Sequence, residues 1–264
     1  MDLTIPEYAY MFGFLQADGH LKQGPGKKGR LSVEINARDI DLLREFQKLT
    51  PYYSSVRQRT RSTNFAKTSH TAIWSLCSLE ARTNLNGLGL PYGRKSETIS
   101  PPLGEFSQRD YLRGIIDADG SVGFTSRDIP FISLSTSSTA IGAYMCWYAQ
   151  TVTGAVRHPR RNKRDNAYNI FYAGKAAQAL TSHLYYPNCI SLRRKQAVAE
   201  RIMNWVRPPA KKPGPERIEW TSDKDKILLY AQSIDEACAE LGHSQNACRA
   251  RLTKLLDGVA PLPN

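Results

Sequence analysis

Two stretches about a hundred residues apart share one pattern. YMFGFLQADGHL (10–21) and YLRGIIDADGSVGF (111–124) are apolar, helix-like segments that end on an acid followed by glycine. After each come strand-like runs, RLSVEINA and FISLSTS, in which apolar and polar positions alternate. Leu42, Leu43, Phe46 and Leu49 then recur at helical spacing behind NARDID, with Asp39 or Asp41 available as N-cap. SSVRQRT alternates again and puts Arg57, Arg59 and Arg61 on one face of a strand. TAIWSLCS and AYNIFYAG each supply a further strand, and a last helix precedes an Arg-Lys pair in each copy. Helices that cover one sheet face while the other displays arginines make each copy α+β.

Sliding the chain against itself by 100–101 residues makes the repeat explicit. Gly13, Ala17, Asp18 and Gly19 fall on Gly114, Ala118, Asp119 and Gly120, and Val33 and Ile40 on Leu134 and Ile141. VRQRTR (56–61) falls on VRHPRR (156–161), and RKSE (94–97) on RKQA (194–197). So long a period means two copies of a whole subdomain, 1–100 and 101–207, and not a solenoid. Residues 208–219 are rich in proline and read as a semi-rigid linker. Residues 220–264 read as a small helical module: Thr221 or Ser222 caps one helix, Ser233 a second through SIDE, and Ser244 a third after the turn at Gly242.

Charge changes the picture. The chain of 264 residues carries a formal net charge of +12, yet residues 209–264 are neutral, so the excess sits on 1–208. Windows 46–79 and 129–164 hold no acid at all. A surface of this kind fits a polyanion, nucleic acid first. The five cysteines form no CxxC pair, which fits a reducing compartment. Cys238, His243 and Cys248 could be taken for a metal cluster, but packing is the stronger reading. There is no basic n-region with an apolar core at the start and no apolar run long enough to span a bilayer. The expectation is therefore a protein that is not secreted and has no membrane partner: cytoplasmic and nucleoid-associated, or in an organelle matrix if organelle-encoded.

An acid at a helix C-terminus sits against the negative end of the helix dipole and needs a cation. Gly13/Ala17 and Gly114/Ala118 recur four apart, so each pair shares a helix face small enough for two backbones to meet. Such a seam brings Asp18 and Asp119 together, with Gly19 and Gly120 expected as left-handed C-caps. Two clustered carboxylates fit hard divalent cations, Mg²⁺ by preference with Mn²⁺ expected to substitute.

FGFLQADG and LRGIIDADG resemble the paired signature motifs of single-chain LAGLIDADG homing endonucleases, the first with Gln16 in place of its earlier acid. The likeness covers residues 1–207. It implies two pseudo-symmetric αββαββα repeats that form a saddle-shaped DNA-binding sheet. It also implies double-strand cleavage across the minor groove, leaving 3′ overhangs. By the same resemblance Asp18 and Asp119 are the essential metal ligands, and the carbonyls of Ala17 and Ala118 also face metal. The family places a basic residue near each scissile phosphate; Lys95 lies 77 residues after Asp18 and Lys195 76 after Asp119, which nominates both.

Arg57, Arg59, Arg61, Lys67, Arg157, Arg160, Arg161 and Lys163 are the expected DNA contacts, with Gln58, Asn64, Asn162 and Asn166 weaker candidates for reading bases. The tail resembles a Myb-like or helix-turn-helix module, in which Arg249 and Arg251 would lie on a recognition helix. The partner expected is double-stranded DNA with a long, near-asymmetric site, bound by a monomer. The alternative is a non-cleaving nucleic-acid binder on the same scaffold, an intron RNA maturase or a transcriptional regulator.

Overall fold

A computed structural model describes residues 1–62, 68–207 and 219–263. Lys67 and Asn64, and all of the linker but its last residue, lie outside them. The chain divides into two compact units, Met1–Arg207 and Pro208–Asn264. Among the described residues no helix is long and apolar enough to cross a membrane.

The first unit opens with α1 (Pro6–Asp18), started by a proline that needs no donor there. Every residue from Ala9 to Gln16 is buried, as expected of a helix apolar on all sides. β1 (His20–Lys22), β2 (Arg30–Asn36), α2 (Ile40–Leu49), β3 (Ser54–Arg61), β4 (Ser69–Leu76) and α3 (Leu79–Gly87) follow. The strands form one antiparallel sheet in the order β1-β2-β4-β3. Leu31 and Val33 on β2, with Ala72, Trp74 and Leu76 on β4, face the helices. Val56 pairs with Trp74, so the alternate residues Arg57, Arg59 and Arg61 lie on the opposite, open face.

The second half runs α4 (Gln108–Asp119), β5 (Gly120–Phe124), β6 (Pro130–Thr136), α5 (Thr139–Thr153), β7 (Tyr168–Ala173), α6 (Lys175–Leu184) and α7 (Arg193–Met203). Its sheet has only three strands, β5-β6-β7. Residues 156–161, which the repeat aligns with β3, form no strand beyond a single bridge from Arg161 to Tyr168. Pro159 lies in the middle of that segment and lacks the N–H a ladder needs. The halves are thus two α+β copies, with the αββαββα order complete only in the first.

α1 and α4 are the joint between them. A Cβ added to Gly13 would fall 2.3 Å from the carbonyl oxygen of Tyr111, and one on Gly114 2.2 Å from that of Tyr10. The backbones meet where no side chain fits. One continuous core runs through both halves.

Two local expectations are corrected. Gly19 and Gly120 are extended (φ −71°, ψ 150°; φ −99°, ψ 178°), not left-handed. Crowding explains their glycine: a Cβ would lie 2.5 Å from Leu15 O at Gly19 and 2.6 Å from Ser133 O at Gly120. Asp39 stands at the N-cap position of α2, but its side chain makes no capping bond there, and Asp41 lies inside the first turn. Asn36 caps the preceding 3-10 turn, while Asp39 and Asp41 pair with Arg194 (3.1 Å) and Arg193 (3.0 Å) of α7 and so tie the halves together.

The second unit has α8 (Ser222–Tyr230), α9 (Ile234–Leu241) and α10 (Gln245–Leu256), capped by the side chains of Thr221, Ser233 and Ser244. Gly242 closes α9 at φ 65°. Leu228, Ala237, Leu241, Cys248 and Leu255 form its core.

Gly13→Ala and Gly114→Ala should each destabilise the protein by about 1–3 kcal/mol or more, because the intruding methyl meets backbone that cannot rotate away. Gly87→Ala, where a Cβ meets nothing within 4 Å, should be neutral or stabilising. Urea denaturation of the three variants checks this.

Candidate functional site

The seam between α1 and α4 is locked by two reciprocal hydrogen bonds. Tyr10 Oη of α1 donates to Asp117 Oδ2 of α4 (2.7 Å), and Tyr111 Oη of α4 donates to Gln16 Oε1 of α1 (2.5 Å). Both pairs repeat at the offset of 101 residues, a signal present in the sequence but not used there. Asp117 also accepts from Tyr185 Oη and from the Leu192 N–H, each at 2.7 Å. Its burial pushes the carboxyl up, while Lys195 and these donors act the other way. Gln16 Nε2 instead donates to the carbonyls of Gly89 (2.8 Å) and Ser100 (3.1 Å). A carboxylate accepts where the second half offers an N–H, and an amide donates where the first half offers carbonyls. This explains the departure of Gln16 from its counterpart.

Asp18 and Asp119 end the two helices and reach solvent, yet enough protein surrounds them to disfavour their charge. Desolvation raises Asp18, against the pull of Lys95 and Lys195. Asp119 is pushed up to about 6, first by desolvation and then by the charge of Asp18, with the two lysines opposing. The aspartates are therefore electrostatic neighbours.

The lysines are buried. Lys95 Nζ donates to the carbonyls of Gln16 and Ala17. Lys195 Nζ donates to those of Ile116 (2.6 Å), Asp117 (2.8 Å) and Gly120 (2.8 Å). Each ammonium thus bonds carbonyls at and just beyond the last helical turn, those of Gln16, Ala17 and Asp117 among them, and offsets the dipole there. Burial lowers Lys95, with Asp119 and Asp18 opposing, and brings Lys195 down to about 8 against Asp117. Three carbonyl acceptors nonetheless favour the charged ammonium of Lys195. The carbonyl of Ala17, expected to face a metal, is already engaged by Lys95, whereas the acceptors of Lys195 do not include that of Ala118. A cleft of about 150 Å³ beside Asp18 is lined by Glu34, Asn36, Asp39, Ala118 and Arg194.

The basic residues divide. Arg57 and Arg59 are exposed on the open face of the first sheet, where Arg61 pairs with Glu34 (3.3 Å). Arg160 and Lys163 are exposed in the segment before β7. Arg157 is exposed and donates to Phe171 O (3.4 Å). Arg161 is turned inward: it donates to the carbonyls of Asn166 and Ser137 and lies 4.6 Å over the Tyr168 ring, which pins this segment in place of a strand. In α10, Arg249 is exposed, but Arg251 is not on the outer side. Cys248, Arg251, Leu252 and Leu255 share the inward stripe at helical spacing, and Arg251 forms a bidentate pair with buried Asp225 (2.8 and 2.5 Å). His243 stacks on Trp220 at 4.2 Å. Among the described residues no group of three or more His, Cys, Asp and Glu side chains is arranged to hold a metal, Cys238, His243 and Cys248 included.

No protein-family model and no curated protein matches the sequence. Solved structures to which the chain is similar include homing endonucleases and a LAGLIDADG domain. The homing endonuclease I-WcaI bound to its DNA recognition sequence is 14% identical, with 74% of this chain and 88% of that one covered and a TM-score of 0.49. The I-LtrWI LAGLIDADG homing endonuclease bound to target DNA is 10% identical, covering 75% and 90%, with a TM-score of 0.46. The N-terminal LAGLIDADG domain of DUF199/WhiA is 14% identical, covering 75% and 86%, also at 0.46.

The proximity of the aspartates is directly measurable. In the metal-free protein the Asp119 carboxyl should titrate near pH 6 by NMR, and Asp18→Asn should lower that midpoint by removing the like charge. Folded protein then holds a proton that unfolded chain, with its ordinary value of 3.8, has lost. Stability should therefore fall as pH rises from about 4 to about 6, and less so in Asp119→Asn.

Proposed function

We propose that residues 1–207 form a site-specific, divalent-cation-dependent double-strand DNA endonuclease of the LAGLIDADG homing type. It would act as a monomer on a long, near-asymmetric site, cutting across the minor groove to leave 3′ overhangs. The observation that carries this reading is that two helices in backbone contact at Gly13 and Gly114 both end on an aspartate, Asp18 and Asp119, with Lys95 and Lys195 bonded to the carbonyls at those ends. A protein that only bound nucleic acid would gain nothing from paired, charge-strained carboxylates.

The donor set fits Mg²⁺. That ion is held by one or two carboxylates together with waters and substrate phosphates, not by a full protein cage. Asp18 and Asp119 would hold it, with the carbonyl of Ala118 nearby. When bound, the cation would polarise the phosphodiester and favour hydroxide over water. The protein's own residues do the rest. Tyr10, Tyr111, Gln16 and Asp117 fix the register of the helices, so the two carboxylates are placed before substrate arrives. Lys95 and Lys195 neutralise the helix ends and set positive charge beside the scissile position, where they act as positioning residues. Arg57, Arg59, Arg157, Arg160 and Lys163 would hold the backbones or base edges of the duplex. In the helical module Arg249 is the remaining candidate for a DNA contact.

With a randomised duplex library, the full chain should cut in Mg²⁺ or Mn²⁺ and only bind in Ca²⁺. Asp18→Asn or Asp119→Asn should reduce cutting by at least about a hundred-fold while leaving binding in Ca²⁺ largely intact. Undiminished cutting by the double variant would refute the assignment.

A further inference from the structure

The open faces of the two sheets differ in chemistry. On the first, Arg57 stands beside Ile73 and Arg59 beside Thr71 by register. On the second, the residues aligned with those arginines are off the sheet, and the open positions are Ser121 and Gly123 on β5, Phe131, Ser133 and Ser135 on β6, and Asn169 and Phe171 on β7. Phe131 and Phe171 stack on each other, with centroids 5.4 Å apart and planes at 21°. Phe171 remains 46% exposed. Phe131 lies across Gly123 of β5, where a Cβ would come within 3.0 Å of its ring. Beside the pair, Ser135 Oγ donates to Asn169 Oδ1 at 2.7 Å.

In a duplex major groove, guanine offers two acceptors that match an arginine fork. Thymine offers a C5 methyl, and adenine an acceptor and a donor that match an amide. A phenylalanine pair cannot replace the water lost by a guanine or cytosine edge, but it loses nothing against a methyl. Each ring also has one face taken by the other, which suits contact with methyl groups better than stacking of an unpaired base.

Building on the DNA-binding reading above, we propose that the target has chemically unequal half-sites. The half under the first sheet is read through guanines by Arg57 and Arg59. The half under the second is rich in thymine and adenine, with thymine methyls packed on Phe171 and Phe131 and adenine met by Asn169.

Selection from a randomised duplex library with the full chain in Ca²⁺, where no cutting is needed, tests this. The enriched site should have one guanine-rich and one thymine-rich half. Arg59→Ala should relax the first only and Phe171→Ala the second only. Replacing thymine by deoxyuridine in the second half should weaken binding roughly four-fold per contacted methyl. Phe171→Ala should abolish that difference, and Phe171→Leu should keep most of it. Equal base composition in both halves, indifference to deoxyuridine, or a Phe171 effect seen only with a single-stranded competitor would overturn the inference while leaving DNA binding in place. Failure to enrich any duplex would overturn both.

Discussion

The structure depends on the contact between the backbones of α1 and α4. Glycine at positions 13 and 114 lets the helices approach until carbonyl oxygens occupy the volume of a methyl. A contact this close has little freedom to slide, and the crossed Tyr10–Asp117 and Tyr111–Gln16 bonds fix it further. Everything that ends the two helices is consequently placed in pairs: the carboxylates, the lysines, and the first strands of the two sheets.

The placement is costly in electrostatic terms, and the protein answers within its own sequence. Two carboxylates lie near each other at the negative ends of two dipoles, and Asp119 holds its proton to an unusually high pH. Lys95 and Lys195, brought back from loops and helices nearly eighty residues away, supply positive charge but spend their protons on main-chain carbonyls. They keep the helix ends intact without forming direct ion pairs with Asp18 or Asp119. On the proposed reading, the carboxylates would then be left to a harder and more highly charged partner. This division of labour gives a physical reason for acids at a position where a helix ordinarily disfavours them.

Much of this was legible in the chain because the features are periodic or repeated. The alternation in SSVRQRT placed Arg57, Arg59 and Arg61 on one face, and the spacing of Gly13/Ala17 and Gly114/Ala118 pointed to a shared helix seam. Other features depend on context. Pro159 breaks the strand that the alignment with residues 56–61 implied, so a match of arginines did not mean a match of structure. Arg251 looked like a surface residue because it is charged, yet it shares a stripe with Cys248 and Leu255 and finds Asp225 there. The reciprocal tyrosine bonds join residues about a hundred apart, and neither member signals its partner locally. They become visible only when the offset of the repeat is applied to Tyr10, Tyr111, Gln16 and Asp117 together.

The claim at the centre is that Asp18 and Asp119 form a single cation site. Carboxyl-carbon NMR of the full chain on a bound duplex, with substoichiometric Mn²⁺ as a paramagnetic probe, addresses it directly. The account predicts that the signals of Asp18 and Asp119 broaden together and before those of other acids. Broadening of one without the other, or spread evenly over surface carboxylates, would contradict it.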